Sequence, residues 1–194
     1  ISVCSYSLYK QHRIQFLEDY NKDHNNANIA ALVQYIKFRK PKVGLLAGSY
    51  NPAHIGHDSL RIEAEKIFDK VIIFRGKNPD KESKLNPSLS STFPFHETGE
   101  FDGYIVDFIK EKEKTDGIEI TYIRGIRNAT DLEYETKQKQ YNKFLCGKRK
   151  VPNIRTIFIP SAPNLAHISS SDIRKMEAFQ PGSADDLIYK PEQI

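Results

Sequence analysis

The feature that most limits the fold is an alternation along the chain. Short runs that are apolar throughout are separated by segments whose apolar residues recur every three or four positions. Lys42 to Ala47 (KVGLLA) runs into Gly48, and Val71 to Phe74 (VIIF) follows. Between them, Asp58 to Lys70 places Leu60, Ala64, Ile67 and Phe68 on one helical face, with Arg61, Glu63, Glu65 and Lys66 elsewhere. Unbroken apolar runs mark strands covered on both faces, and strand, helix, strand within residues 42 to 74 is the length of one crossover unit of a parallel sheet.

The pattern resumes downstream. A helix is predicted from Tyr104 to Lys114, a turn at Asp116-Gly117 and a strand from Ile118 to Ile123. A longer helix follows from Ala129 to Leu145, carrying Leu132, Tyr141, Phe144 and Leu145. Ile154 to Ile159 (IRTIFI) makes a fourth strand closed by Pro160, and Ser170 to Ala178 a further helix. Lys77 to Gly99 is rich in Pro, Ser, Asn and Gly and has little periodicity, which predicts a long loop. The fold class is therefore α/β, a Rossmann-like doubly wound parallel sheet flanked by helices.

Residues 1–40 differ. From Tyr9 to Lys40 there is no Gly or Pro, and Ile14, Leu17, Ile29, Leu32, Val33 and Ile36 fall at helical spacings around a polar centre, Asn21 to Asn28. Two amphipathic helices are expected there, as an extension ahead of a second unit, residues 41–194.

Composition excludes several classes. No stretch approaches the roughly 18 to 20 apolar residues of a membrane span. The net charge of +4 comes from 29 basic and 25 acidic residues that are interspersed, which suits anionic small molecules and argues against nucleic acid. Cys4 and Cys146 are far apart, with no disulfide framework or zinc-like spacing, so a reducing, cytoplasmic setting is expected. The first twenty residues also lack the apolar core of a secretion signal.

In such a sheet, ligands bind beyond the carboxyl ends of the strands. The loop after Ala47 reads Gly48-Ser49-Tyr50-Asn51-Pro52-Ala53-His54-Ile55-Gly56-His57. Gly48 allows close backbone approach, and His57 would sit in the first turn of a helix, where N–H groups and the dipole favour an anion. His54 and His57, three apart, can reach one pocket. After Ile123 come Arg124-Gly125-Ile126-Arg127, whose two guanidinium groups suit an anion held bidentately. Asp131 and Glu135 follow on one helical face, where a carboxylate can point at ribose hydroxyls or orient an arginine. Ile168-Ser169-Ser170-Ser171-Asp172-Ile173-Arg174 opens the last helix with hydroxyls and free N–H groups, and Arg174 adds charge one turn on. Alone, each of these has an ordinary reading as a helix cap or a solvated charge.

Together, and in this order, they carry a resemblance. GSYNPAHIGH is similar to the HxGH or TxGH signature of nucleotidyltransferases. RGIRNATDLEYE resembles the RGLRxxxDFEYE block of the pantetheine-phosphate adenylyltransferases, and ISSSDIR the ISSTxIR segment of the same superfamily. Asn78-Pro79-Asp80-Lys81 is similar to the family's NPxK loop, and Phe101 to Phe108 (FDGYIVDF) to the segment that lines the pantetheine arm. The resemblance covers about Lys42 to Ala178 and makes residues 41–194 a nucleotidyltransferase domain. It implies transfer of AMP from ATP to 4′-phosphopantetheine, with release of pyrophosphate.

By this resemblance His57, His54, Lys81 and Arg124 are catalytic. Ser49, Lys81, Ile105 and Arg124 would bind the acceptor. Ser49, Tyr50, His57, Gly125, Ile126, Arg127, Glu135, Ile168, Ser169, Ser170, Ser171 and Arg174 would bind ATP, with Glu135 toward the nucleoside. Mg2+ is implied as the counter-ion of ATP, with no all-protein metal site. His96 and His167 have no assigned role. The chain also departs from the family pattern. His54 stands where Thr is usual and Asn51 where Asp is usual, Leu165 replaces an aromatic, and no TxEER-like helical segment follows Lys81. Two alternatives therefore stay open: a nicotinamide or nicotinate mononucleotide adenylyltransferase, and a non-catalytic nucleotide-binding module. Homo-oligomerisation is also left open.

Overall fold

The computed structural model describes residues 3–77 and 88–191. Five strands, β1 (Lys42–Gly48), β2 (Lys70–Gly76), β3 (Glu97–Phe101), β4 (Glu119–Ile126) and β5 (Arg155–Pro160), form one sheet in the order β3-β2-β1-β4-β5. All four pairings are parallel. The helices are α1 (Val3–His24), α2 (Ala27–Phe38), α3 (Ile55–Glu65), the short α4 (Leu89–Thr92), α5 (Ile105–Asp116), α6 (Ala129–Arg149) and α7 (Ser170–Phe179).

Two apolar clusters sandwich the sheet. Val43, Leu45, Ile72 and Ile120 pack with Val106 and Ile109 of α5 and Leu145 of α6 on one face. Leu46, Val71, Ile73 and Ile123 pack with Ala64 of α3 and Leu89 and Phe93 of the α4 segment on the other. Gly44 is required by this second contact, because a Cβ there would lie 2.6 Å from Ile123 Cδ1 and 2.8 Å from the Phe68 ring. A third, smaller cluster of Ile168, Ile173 and Ala184 with Ile55 and Leu187 seats α7 against the start of α3.

The fifth strand corrects the expectation of a long loop between Lys77 and Gly99. β3 (ETGEF) is half-buried at the sheet edge, so it needs no apolar run such as those that mark β1 and β2. Its Glu97 bonds Lys70 of β2 and Lys112 of α5. Helix α3 starts at Ile55, three residues before expected, and ends at Glu65. Ile67 therefore leaves the apolar face and is exposed in the following turn, while Phe68 stays packed on the core. β4 continues beyond Ile123, so Arg124 and Gly125 belong to the strand. On α6, Leu145 is buried, but Leu132, Tyr141 and Phe144 face outward, and Glu135 and Asn142 are buried instead. Gly117, at φ 64°, closes α5 in the left-handed conformation.

The two helices expected before Pro41 form a hairpin. Asn26 caps α2 by accepting from the Asn28 N–H at 2.9 Å, and Lys37 bonds Glu18 of α1 at 2.5 Å. The hairpin is tied to the sheet through Arg39, whose guanidinium chelates Asp69, while Asp69 also accepts the Lys42 N–H. Among the described residues no helix is long and apolar enough to cross a membrane.

Candidate active site

The strand order turns back at β1, flanked by β2 and β4, and the crevice outside the carboxyl ends of β1 and β4 is the position that this topology reserves for ligands. A cavity of about 360 Å3 lies there. Its floor is the loop from Gly48 to His54, and outside donors hold the carbonyls of Ala47, Ser49, Asn51 and Pro52. Arg124 Nη1 donates to Ala47 O at 2.8 Å, Arg75 Nε to Ser49 O at 3.2 Å and Ser170 Oγ to Pro52 O at 2.9 Å, while Arg174 donates to Asn51 O. Tyr50 adopts a positive φ of 46°, a conformation that a side chain makes unfavourable and that these ties support. The segment after α7 adds two backbone bonds, Ile55 N–H to Leu187 O at 3.0 Å and Tyr189 N–H to Ala53 O at 3.1 Å.

His54 caps α3. Its Nδ1 accepts the Gly56 N–H, and the His54 N–H donates to His57 Nδ1, each at 3.2 Å. The two rings lie 3.8 Å apart and Tyr50 covers His57 at 4.8 Å. Burial, aided by Arg127, depresses His54 to a pKa of about 4. Burial, then His54, Arg124 and Arg127, holds His57 well below its usual value. Both are therefore neutral near pH 7, and because each Nδ1 accepts from a backbone N–H, the single ring proton of each is on Nε2. The pair supplies fixed N–H donors, not charge.

Charge comes from the facing wall. Glu135, buried on α6, grips Arg124 with both oxygens at 2.8 and 2.5 Å, and Asp131 grips Arg127 at 2.7 and 3.0 Å. Burial opposes the Arg124 charge, but Tyr122 and Glu135 more than offset it, so the guanidinium stays protonated. Burial likewise pushes the Tyr50 hydroxyl up and keeps it neutral. The third wall is the start of α7. Ser169 is the N-cap, accepting from the Asp172 N–H at 3.1 Å, and the Ser171 hydroxyl accepts from Arg174 at 3.1 Å.

The structure thus gathers Ser49, Tyr50, His54, His57, Arg124, Gly125, Arg127, Glu135, Ile168, Ser169, Ser170, Ser171 and Arg174 around one void. Of the expected residues that the structure describes, Ile105 and Ile126 are not among its walls. Lys81 lies outside the described residues. Ile105 opens α5 and packs on the apolar cluster of that face. Ile126 lies between the lining residues Gly125 and Arg127 and meets Ser161 through its carbonyl at 2.8 Å. Of the two uses left open for Glu135, a nucleoside contact or an arginine brace, the structure displays the brace. Leu165, Ser161 and Tyr134 also line the cavity. Tyr134 had no signal beyond its place in the motif. Arg75 had one that went unread, a charge directly after an apolar strand run. His96 is a surface partner of Glu65 at 2.6 Å, and His167 is exposed.

Residues 45–176, from β1 into α7, match the cytidylyltransferase-like family, and this span holds every residue that lines the cavity. The chain is 34% identical over 157 residues to the phosphopantetheine adenylyltransferase of Cytophaga hutchinsonii, covering 77% of this chain and 98% of that one. It is 33% identical over 161 residues to that of Clostridium perfringens strain SM101, covering 79% and 90%. The chain belongs to the phosphopantetheine adenylyltransferase family. Members of this family are nucleotidyltransferases that use ATP. A bifunctional NMN adenylyltransferase/ADP ribose pyrophosphatase of Francisella tularensis shares the fold, with a TM-score of 0.52 and 14% identity over 78% of this chain and 45% of that one. The helical hairpin α1–α2 lies outside the family match.

Proposed function

We propose that the chain transfers AMP from ATP to 4′-phosphopantetheine, forming dephospho-CoA and pyrophosphate. The observation that carries this reading is the convergence of two neutral Nε2–H imidazoles, two braced arginines and a serine-rich helix start on one cavity, in a chain that matches phosphopantetheine adenylyltransferases over nearly their full length. A phosphate oxygen of the acceptor attacks the α-phosphorus of ATP in line. The bond to the oxygen bridging α and β breaks, and pyrophosphate leaves with that electron pair. No covalent enzyme intermediate is needed, so catalysis is positioning and stabilisation of negative charge.

His57 donates to the α-phosphate as charge builds there, and His54 to the triphosphate beside it. Because their protons are held on Nε2 in advance, little reorganisation is needed, and each such donor contributes about 3 kcal/mol to transition-state stabilisation. Arg124, with Lys81, holds the attacking phosphate, and Ser49 donates to it. Glu135 acts through Arg124, fixing the guanidinium plane. Gly125 and Arg127 flank the nucleoside. The Ser170 hydroxyl donates to Pro52 O, whereas Ser171 accepts from Arg174 and keeps its O–H to donate, so the Ser171 hydroxyl, the N–H groups opening α7 and Arg174 receive the β- and γ-phosphates. Mg2+ enters with ATP as part of that substrate. Among the described residues no cluster of three or more His, Cys, Asp or Glu is placed to hold a metal, and the carboxylates lining the cavity are engaged by arginines.

The test is an acceptor panel. The chain is incubated with ATP and either 4′-phosphopantetheine, NMN or nicotinate mononucleotide, and pyrophosphate is measured. Release with phosphopantetheine alone is expected. Release only with a mononucleotide, or ATP binding without release, refutes the reading.

A further inference from the structure

Among the described residues only two charged side chains are buried, Glu135 and Arg75. Glu135 is accounted for by Arg124. Arg75 lies at the sheet's carboxyl edge on the other side of β1, and burying a guanidinium is unfavourable unless its donors are met, as they are here. It directly follows the apolar run of β2 and sits in register with Gly48 of β1 on one side and Glu100 of β3 on the other, so the three form a row across the carboxyl edge of the sheet. From there it donates in two directions, Nε to the Ser49 carbonyl and Nη1 to Glu100 Oε1, each at 3.2 Å. Glu100 is half exposed, so the charge is neutralised at the rim while the fork reaches inward.

The bond to Ser49 is the informative one. The peptide that follows leads into Tyr50 at positive φ, and a carbonyl clamped there fixes where the Ser49 side chain and the Tyr50 N–H point. We propose that Arg75, braced by Glu100, is a positioning residue that holds Ser49 toward the acceptor phosphate. This rests on the role given to Ser49 above. A lysine supplies the charge but not two donors in a fixed plane, so it cannot span Ser49 O and Glu100 together.

The test is steady-state kinetics with ATP and 4′-phosphopantetheine on wild type, Arg75→Lys, Glu100→Gln and Ser49→Ala, plus the double variant Arg75→Lys/Ser49→Ala, with urea midpoints for each. Arg75→Lys should raise the KM for phosphopantetheine roughly tenfold and leave that for ATP within about twofold. Glu100→Gln should shift it the same way by about threefold. Ser49→Ala should add little in the Arg75→Lys background, because both changes remove one interaction. An unchanged acceptor KM in an active Arg75→Lys enzyme overturns the inference alone, as do additive effects in the double variant or equal rises in both KM values with a lowered urea midpoint. Absence of wild-type turnover overturns the functional reading and the inference with it.

Discussion

Acidification acts directly on the joint between β1 and α3. In an unfolded chain a histidine titrates near pH 6.5. In the fold His54 is depressed to about 4 and His57 also lies well below 6.5. Below about pH 6.5 the unfolded state therefore binds protons that the folded state refuses, so the stability contributed by the neutral rings is present at neutral pH and is lost as pH falls from about 6.5 toward 4. At pH 5, about 1.5 pH units below 6.5, the deficit for His54 at 1.36 kcal/mol per unit is about 2 kcal/mol, and His57 adds to it in the same direction. Against a typical total of about 5 to 15 kcal/mol this is a large fraction. His54→Asn isolates one ring, since Asn is a favoured N-cap that can still accept the Gly56 N–H but does not titrate. Urea unfolding at pH 7 and pH 5, followed by the fluorescence of the 10 tyrosines in this Trp-free chain, reads the effect. The wild type should lose about 2 kcal/mol more than the variant on going to pH 5, a midpoint difference of roughly 1 M urea. Equal losses in the two proteins refute the reasoning, as does a His54 ring resonance that titrates near pH 6.5 in the folded state.

Replacing His57 with Ala should cut turnover by about a hundredfold or more while far-UV circular dichroism is retained; near-normal turnover removes His57 from the chemistry. Glu135→Gln weakens the brace on Arg124 and leaves a half-buried guanidinium under-compensated, so a loss of about 1 to 3 kcal/mol in urea unfolding should accompany a raised acceptor KM. Gly44→Ala forces a Cβ against Ile123 and Phe68 and should cost about 1 to 3 kcal/mol with the site chemistry intact; a neutral result means that Phe68 swings aside. Ser170→Ala removes the tie to Pro52 O and should cost about 1 kcal/mol, with a small rise in the KM for ATP, both measurable beside wild type.

Much of the fold was legible because its central strands are covered on both faces. β1 and β2 are written as apolar runs, while β4 and the edge strand β5 mix apolar and polar residues, and β4 extends three residues beyond its expected end. The edge strand β3 was not legible, since half-burial and pairing with Lys70 and Lys112 place no apolar demand on ETGEF. On α6 the helical period was present, but the buried face combines Leu145 and Cys146 with Glu135, which Arg124 holds inward, and leaves Leu132, Tyr141 and Phe144 outside. At the site, the HxGH, RGIR and SSS motifs identified the residue types and their grouping. Arg75 escaped because its partners, Ser49 and Glu100, are 26 and 25 residues away and meet only through strand register.

The sequence by itself determined the parallel α/β class, the helical hairpin ahead of the sheet, and a cavity lined by histidine, arginine and serine. These follow from local period and spacing, which every short window of the chain carries. The tertiary structure decided the protonation of the site. That His54 and His57 are neutral Nε2–H donors, and that Glu135 braces Arg124, depends on burial and on hydrogen bonds that form only after β1, β4, α3 and α6 are packed. Residue order carries no information about solvent exclusion, and solvent exclusion sets the charge state on which the proposed chemistry runs.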